Sequence, residues 1–384
     1  MFEYIKDNYP LNLSLSMALD MGACMDEVYR ATRDAADLAS DGQDASQAFF
    51  RGWVEEGRKL EEAARQDQAR GYGLTAAEKY RRASIMFMTA ERIPSHTDPN
   101  RDEVYDCVLD TFAKYVELSG VACERVSVPY GDTSLPALFC NAAQPGQSAP
   151  CMVHFNGLDG LKEFLFLSGF PEALRKRGVS ILLVDNPGVG ESLRKLGLHN
   201  GPDAEKPAGA CFDYLLTRSD VRGDAIGMIA LSLGGYHAPR AAAFESRFAI
   251  CVAWGANYDW GKRLRKRLAG SAGEKSVPQY LEHIQWVLGQ DNIEAAAKIA
   301  DAFSLSGVLD RIRVPILIVH GEQDRQVPVG DAHLTYEEAT NSPDRVLKIF
   351  SAEEGGEQHC SIGNMTLCTD FMADWIADHL VTVS

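Results

Sequence analysis

The sequence predicts an α/β protein: a mostly parallel, eight-stranded sheet with helices on both faces, preceded by an α-helical region. Three observations predict it. Residues 122–384 alternate between short apolar runs and helical segments, the pattern of a doubly wound sheet. Most of those runs are continuously apolar and rich in Val, Ile and Leu, as strands buried on both faces are. Residues 1–121, by contrast, read as helix throughout.

In the first region, GWVEEGRKLEEAARQDQARG sets Trp53, Leu60 and Ala64 at helical spacing among charges. Thr75 and Glu78 form a capping-box pattern ahead of KYRRASIMFMTAERI, where Tyr80, Ser84, Phe87 and Met88 share a face. A third helix is predicted over Arg101 to Leu118, with Val104, Val108, Phe112 and Tyr115 as its stripe. These stripes read as packing surfaces.

The predicted strands are CERVSVPY, LPALFCN, CMVHFN, SILLVDN, AIGMIALS, FAICVAWG, PILIVHG and VLKIF. The first two form a hairpin about Gly131 and Asp132. Helices are predicted over 161–177, 203–218, 234–246 and 364–381. The stretch 258–309 is too long for a simple crossover and is expected to add helices above the sheet.

The net charge of −16 argues against nucleic acid or an anionic membrane as partner and leaves a small molecule. Nine scattered cysteines form no Cys-x-x-Cys pair. The opening residues lack the basic and apolar regions of a secretory signal. No apolar run approaches the roughly 18 residues a bilayer span needs. A cytoplasmic protein with reduced thiols is expected. No metal or other cofactor is expected. Acids and histidines do not fall at ligand spacing, and Gly188-x-Gly190 lacks the third glycine of a dinucleotide loop.

The chemistry is concentrated at the ends of the predicted strands. In AIGMIALSLGGYHAPRAAA a buried strand runs into Ala230-Leu231-Ser232-Leu233-Gly234-Gly235, and a helix follows. This is the Gly-x-Ser-x-Gly nucleophile elbow with Ala230 at the first position. Small residues flank the serine because strand and helix backbones approach closely there. Helix N–H groups beside the hydroxyl favour negative charge. PILIVHGEQDRQVP then offers an acid, Asp324, with Glu322 as its rival. After the last strand, SAEEGGEQHCSIGN carries His359 in a polar loop. His333 and His379 fall inside predicted helices and are set aside. The order Ser, Asp, His suits a nucleophile, an orienting acid and a base. Acyl chemistry also needs oxyanion donors. One is expected at the Leu233 N–H, the other at Gly157 or Leu158 in the loop after CMVHFN. Asp185-Asn186-Pro187-Gly188-Val189-Gly190-Glu191 reads as a structural turn.

Taken together, YRRAS, NGLDGLKE, DNPGVGE, SLGGY, AWGANYD, HGEQDRQVP and EEGGEQHCSIGN resemble one α/β-hydrolase subgroup. That subgroup holds the 2,6-dihydroxypseudooxynicotine hydrolases and the fungal pigment polyketide-shortening hydrolases. The resemblance implies an α/β-hydrolase fold over 122–384 and a cap or dimerisation region over 1–121. It also implies a homodimer, a Ser232–His359–Asp324 triad and hydrolysis of a carbon–carbon bond beside a ketone. Asp259 is the nearest acid to the subgroup's extra pocket carboxylate. A carboxylesterase, lactonase or thioesterase would use the same triad. A non-catalytic receptor on this fold would have no need of a complete one.

Overall fold

Buried apolar strands and amphipathic helices build two compact units in the computed structural model, which describes residues 1–271 and 273–381. The first unit comprises Met1–Ala122 and Glu274–His283, the second Cys123–Gly273 and Ile284–Ser384.

The first unit is helical: α1 (Tyr9–Asp20), α2 (Met25–Ser40), α3 (Ser46–Ala69), α4 (Gly73–Glu91) and α5 (Pro99–Ser119). α4 packs between α3 and α5 and also meets α1. That position explains why Ser84–Glu91 is buried without a break. A helix covered all round needs no polar face. α5 is bounded by chemistry visible in the sequence. Asp98 caps the Asn100 N–H, Pro99 opens the helix, and Gly120 ends it at φ +70°. The capping box expected at Thr75 does not form. α4 opens earlier, at Gly73, so Thr75 already lies within the helix. The segment 274–283 joins this unit through Arg92, which donates to the Ser276 carbonyl at 3.1 Å, and through His96, 2.8 Å from Glu282.

The second unit runs β1 (Glu124–Tyr130), β2 (Thr133–Cys140), β3 (Ala149–Phe155), α6 (Lys162–Leu167), α7 (Phe170–Lys176), β4 (Ser180–Val184), α8 (Gly190–Arg194), α9 (Glu205–Leu216), β5 (Val221–Leu233) and α10 (Gly234–Phe244). It continues with β6 (Cys251–Ala256), α11 (Trp260–Leu268), α12 (Tyr280–Val287, whose residues up to His283 belong to the first unit), α13 (Ile293–Ala300), β7 (Ile316–Gly321), α14 (Gly330–Glu338), β8 (Arg345–Phe350) and α15 (Met365–Leu380). The eight expected strands form one sheet in the order β1-β2-β4-β3-β5-β6-β7-β8. β1 and β2 form the antiparallel hairpin, β2 meets β4 antiparallel, and all other pairs are parallel. Every residue of β3, β4, β6 and β7 is buried. α9 and α10 pack together and onto β5, while α7 and α15 form a second helical pair. The single helix expected over 161–177 is two, because Gly169 turns the chain at φ +81° between α6 and α7.

Parallel pairing puts the carboxyl ends of β3 to β8 along one edge of the sheet. Phe155 lies beside both Val184 and Ala230, Leu231 beside Trp254, and Gly321 beside Phe350. Whatever follows these strands is gathered at that edge, which is where open α/β sheets bind ligands. Among the described residues no helix is long and apolar enough to cross a membrane.

Candidate active site

β5 delivers Ser232 to this edge, and α10 begins two residues later. Ser232 sits at φ +63°, a left-handed conformation that an L-residue adopts at a cost of about 1–3 kcal/mol. The surroundings enforce it through close backbone approach. A Cβ on Gly234 would come 2.5 Å from the Ala230 Cβ, and one on Gly235 would strike the Gly255 carbonyl. Ala230 is therefore accommodated because its facing partner, Gly234, has no side chain.

Asp324 follows β7 and His359 follows β8. The Ser232 hydroxyl lies 2.7 Å from His359 Nε2, and His359 Nδ1 lies 2.6 Å from Asp324 Oδ2. The other carboxylate oxygen, Oδ1, accepts the Gln326 and Val327 N–H groups at 2.7 and 2.9 Å. Glu322, the rival acid, is exposed and accepts the Ala352 N–H. The acid turn and the histidine loop are joined by backbone, since the Gln323 N–H donates to the Glu357 carbonyl at 2.9 Å. On the other side of the loop, the Trp254 indole N–H donates to the Cys360 carbonyl at 3.2 Å, and the Cys360 thiol returns a bond to the Trp254 carbonyl. Cys360 and Ser361 take positive φ values of 51° and 58°, which turns the chain tightly after His359. His379, on α15, instead faces Asp344 at 3.1 Å.

Burial opposes charge on both members of the relay, but their mutual attraction wins. Burial lowers the His359 pKa, yet the Asp324 carboxylate outweighs it, and the imidazole stands well above its ordinary value. Burial likewise raises Asp324, while His359 at hydrogen-bond distance brings it below the usual carboxylate range. His320 lies 3.6 Å from the same carboxylate but donates to the Val327 carbonyl at 3.0 Å, and burial depresses its pKa. A hydroxyl, an imidazole and a buried carboxylate in this sequence can pass a proton from oxygen to nitrogen.

Gly157 lies directly against the elbow. A Cβ there would come 2.8 Å from both the Leu231 carbonyl and the Ser232 Cβ, and 3.2 Å from the Leu233 nitrogen. The loop after β3 thus packs directly against the nitrogen that follows Ser232. Asp259 is not among these groups. Its Oδ1 caps α11 by accepting the Lys262 N–H at 2.8 Å, and its Oδ2 accepts from Ser304. A cavity of about 180 Å³ lies in the same unit, lined by Tyr130, Phe155, Asn186, His199, Asn200 and His237 among others. None of Ser232, Asp324 and His359 lines it.

A cluster of buried charge that no sequence motif marks lies beside the site. Lys162, Glu163, Asp185 and Glu191 are each less than a tenth exposed. Their signal was a Lys-Glu pair in NGLDGLKE and two acids in DNPGVGE, in turns that close packing shields from water.

Comparison with known proteins agrees with this architecture. Residues 153–360 match the model of the alpha/beta hydrolase family. The chain is 26% identical over 343 residues to the 2,6-dihydropseudooxynicotine hydrolase of Paenarthrobacter nicotinovorans, covering 87% of this chain and 85% of that one. It is 27% identical over 368 residues to hydrolase LUC6 of a Fusarium species, with 86% and 87% covered. The crystal structure of a 2,6-dihydroxy-pseudo-oxynicotine hydrolase superposes with a TM-score of 0.77 at 26% identity over 95% of both chains. The chain is a hydrolase and belongs to the alpha/beta hydrolase family.

Proposed function

We propose that this hydrolase cleaves a carbon–carbon bond adjacent to a ketone in an aromatic or polyketide-like substrate, using Ser232 as nucleophile, His359 as base and Asp324 as orienting acid. The observation that carries the triad is the pair of short contacts through one imidazole, 2.7 Å to Ser232 and 2.6 Å to Asp324. The proposed bond type and substrate class rest on the resemblance to the pseudo-oxynicotine hydrolase. That similarity spans 95% of the chain and so extends well beyond the motifs of the hydrolase core.

In this mechanism Ser232 Oγ attacks the ketone carbon while its proton passes to His359 Nε2. The carbonyl oxygen becomes an oxyanion facing the Leu233 N–H and a donor from the loop at Gly157 or Leu158. The adjacent C–C bond then breaks, and its electron pair goes to the departing carbon. That carbon needs a second carbonyl or an electron-rich ring to stabilise it, and it takes the proton from His359. An acyl group remains on Ser232. Water attacks the acyl carbon and gives its proton to His359, which returns one to Ser232 as the carboxylic acid leaves. One water is consumed and no cofactor enters the balance.

Matched pairs of substrates test the bond type. Aryl ketones and 1,3-diketones should be turned over with higher kcat/KM than esters of the same shape, while p-nitrophenyl esters are cleaved slowly by the same groups. Esters, lactones or thioesters turned over at ordinary esterase rates, with no ketone cleaved across a broad panel, would assign the triad to carboxylic ester hydrolysis instead.

A further inference from the structure

β3 and β4 are parallel neighbours with Phe155 beside Val184, so the turns that follow them emerge side by side. The two turns are bound together at both ends of the loop after β3. At its start, the Asn156 N–H donates to Asn186 Oδ1 at 2.8 Å and the Asn156 amide donates to the Val184 carbonyl at 3.2 Å. At its end, Asp185 grips Lys162 twice, through the backbone N–H and through Nζ, each at 2.9 Å. Lys162 Nζ also donates to Glu191 Oε1 at 2.5 Å and approaches Glu163 at 2.7 Å. Asp185 additionally accepts the Glu191 N–H at 2.9 Å. Gly190, at φ +51°, is required beside it, because any Cβ there would overlap the Asp185 carboxylate.

The Lys162 side chain is fully buried. Burial lowers its pKa, but three surrounding acids raise it far above the ordinary value, so it remains a cation. Burial raises Glu163, one of whose oxygens has no partner, whereas Glu191 is drawn below its ordinary range against its own burial by Lys162 and Arg125. Stability alone does not call for such a cluster. Replacing buried ion pairs by well-packed apolar side chains is often neutral or stabilising, and their best-attested use is to fix a register.

The register fixed here is that of residues 156–162, which bring Gly157 against Ser232 and the Leu233 nitrogen. We infer that Lys162 is a positioning residue: clamped by Asp185 and Glu191, it holds the oxyanion-binding loop against the nucleophile elbow. The inference rests on the proposed role of Ser232. It separates a loop that is merely present from one held within the fraction of an ångström that oxyanion stabilisation needs.

The test is the rate at which a fluorophosphonate labels Ser232, a reaction that builds negative charge at the same point and needs no knowledge of the substrate. Wild type, Lys162→Met and Glu191→Gln are compared well below their melting temperatures. Lys162→Met should label at least about tenfold more slowly per folded molecule. The pH of half-maximal labelling should not move, because His359 and Asp324 are untouched. Glu191→Gln keeps the shape of the clamp and weakens it, so it should change in the same direction by less. A lowered melting temperature with a wild-type labelling rate in Lys162→Met would reduce the cluster to a structural one and overturn the inference. A shifted pH profile would overturn it too, by placing the effect on His359. If Lys162→Met does not fold, Glu191→Gln decides, and an unchanged rate there is equally fatal. A wild-type chain that takes label elsewhere and none at Ser232 would instead remove the nucleophile assignment itself.

Discussion

Replacing Ser232 by Ala is expected to lower kcat at least about a thousandfold, with His359→Ala costing about as much and the double variant little more. The two side chains act as one unit. Without the imidazole the hydroxyl keeps its proton, and without the hydroxyl the imidazole has nothing to activate. The fold should survive. The turn at φ +63° is imposed by the approach of Gly234, Gly235 and Gly157 to their neighbours, and alanine fits it as well as serine does. The hydroxyl's bond to His359 is worth about 1 kcal/mol, so the melting temperature of Ser232→Ala should fall by a few degrees at most. Steady-state kinetics beside a thermal melt check both halves. Activity retained in a folded Ser232→Ala protein sinks the triad.

Asp324→Asn is expected to lower kcat by about ten-thousandfold with substrate binding kept. The structure says why the amide cannot substitute. Oδ1 already accepts two backbone N–H groups, from Gln326 and Val327, and that fixes which way an amide will face. Its NH2 then points at His359 Nδ1. The imidazole must present a lone pair there, and its proton moves to Nε2, the atom that has to accept from Ser232. The pH dependence should move as well. In the wild type the carboxylate favours the imidazolium and holds the His359 pKa well above its ordinary value. Activity needs neutral His359, so it should rise with pH through that raised pKa. Without the carboxylate charge, burial is no longer offset and the acid limb shifts to lower pH. A pH profile of kcat/KM for both proteins measures this. If Glu322→Gln produces the loss and Asp324→Asn does not, the orienting acid is misassigned.

What was legible in the sequence, and what was not, follows from how burial patterns a chain. Strands buried on both faces announce themselves as unbroken apolar runs, so AIGMIALS and PILIVHG could be placed at once, and with them the ends that carry Ser232 and Asp324. Helix α1 could not. Nine of its 12 residues are buried, and YPLNLSLSMALD alternates apolar and polar residues where a half-exposed helix would show a stripe. In α2 the inward residues include only Ala31, Thr32 and Ala35 beside Val28 and Glu27, too small to stand out. The start of α4 was misread because Thr75 and Glu78 have capping-box spacing but lie on an exposed face within the helix. The Lys162 cluster was hidden for another reason. Charges in Gly-rich turns read as solvated, and only the adjacency of β3 and β4 in the sheet encloses them.

The central claim, a covalent acyl intermediate on Ser232, is tested most directly by treating the protein with p-nitrophenyl dimethylcarbamate and mapping the modified peptide by mass spectrometry. Carbamoyl-enzymes deacylate slowly, so the intermediate accumulates. The account predicts a burst of p-nitrophenol equal to the enzyme present, a carbamoyl group on Ser232, and hydrolase activity lost in proportion. A carbamoyl group on another residue such as Cys360, or full activity in protein carbamoylated at Ser232, would contradict it.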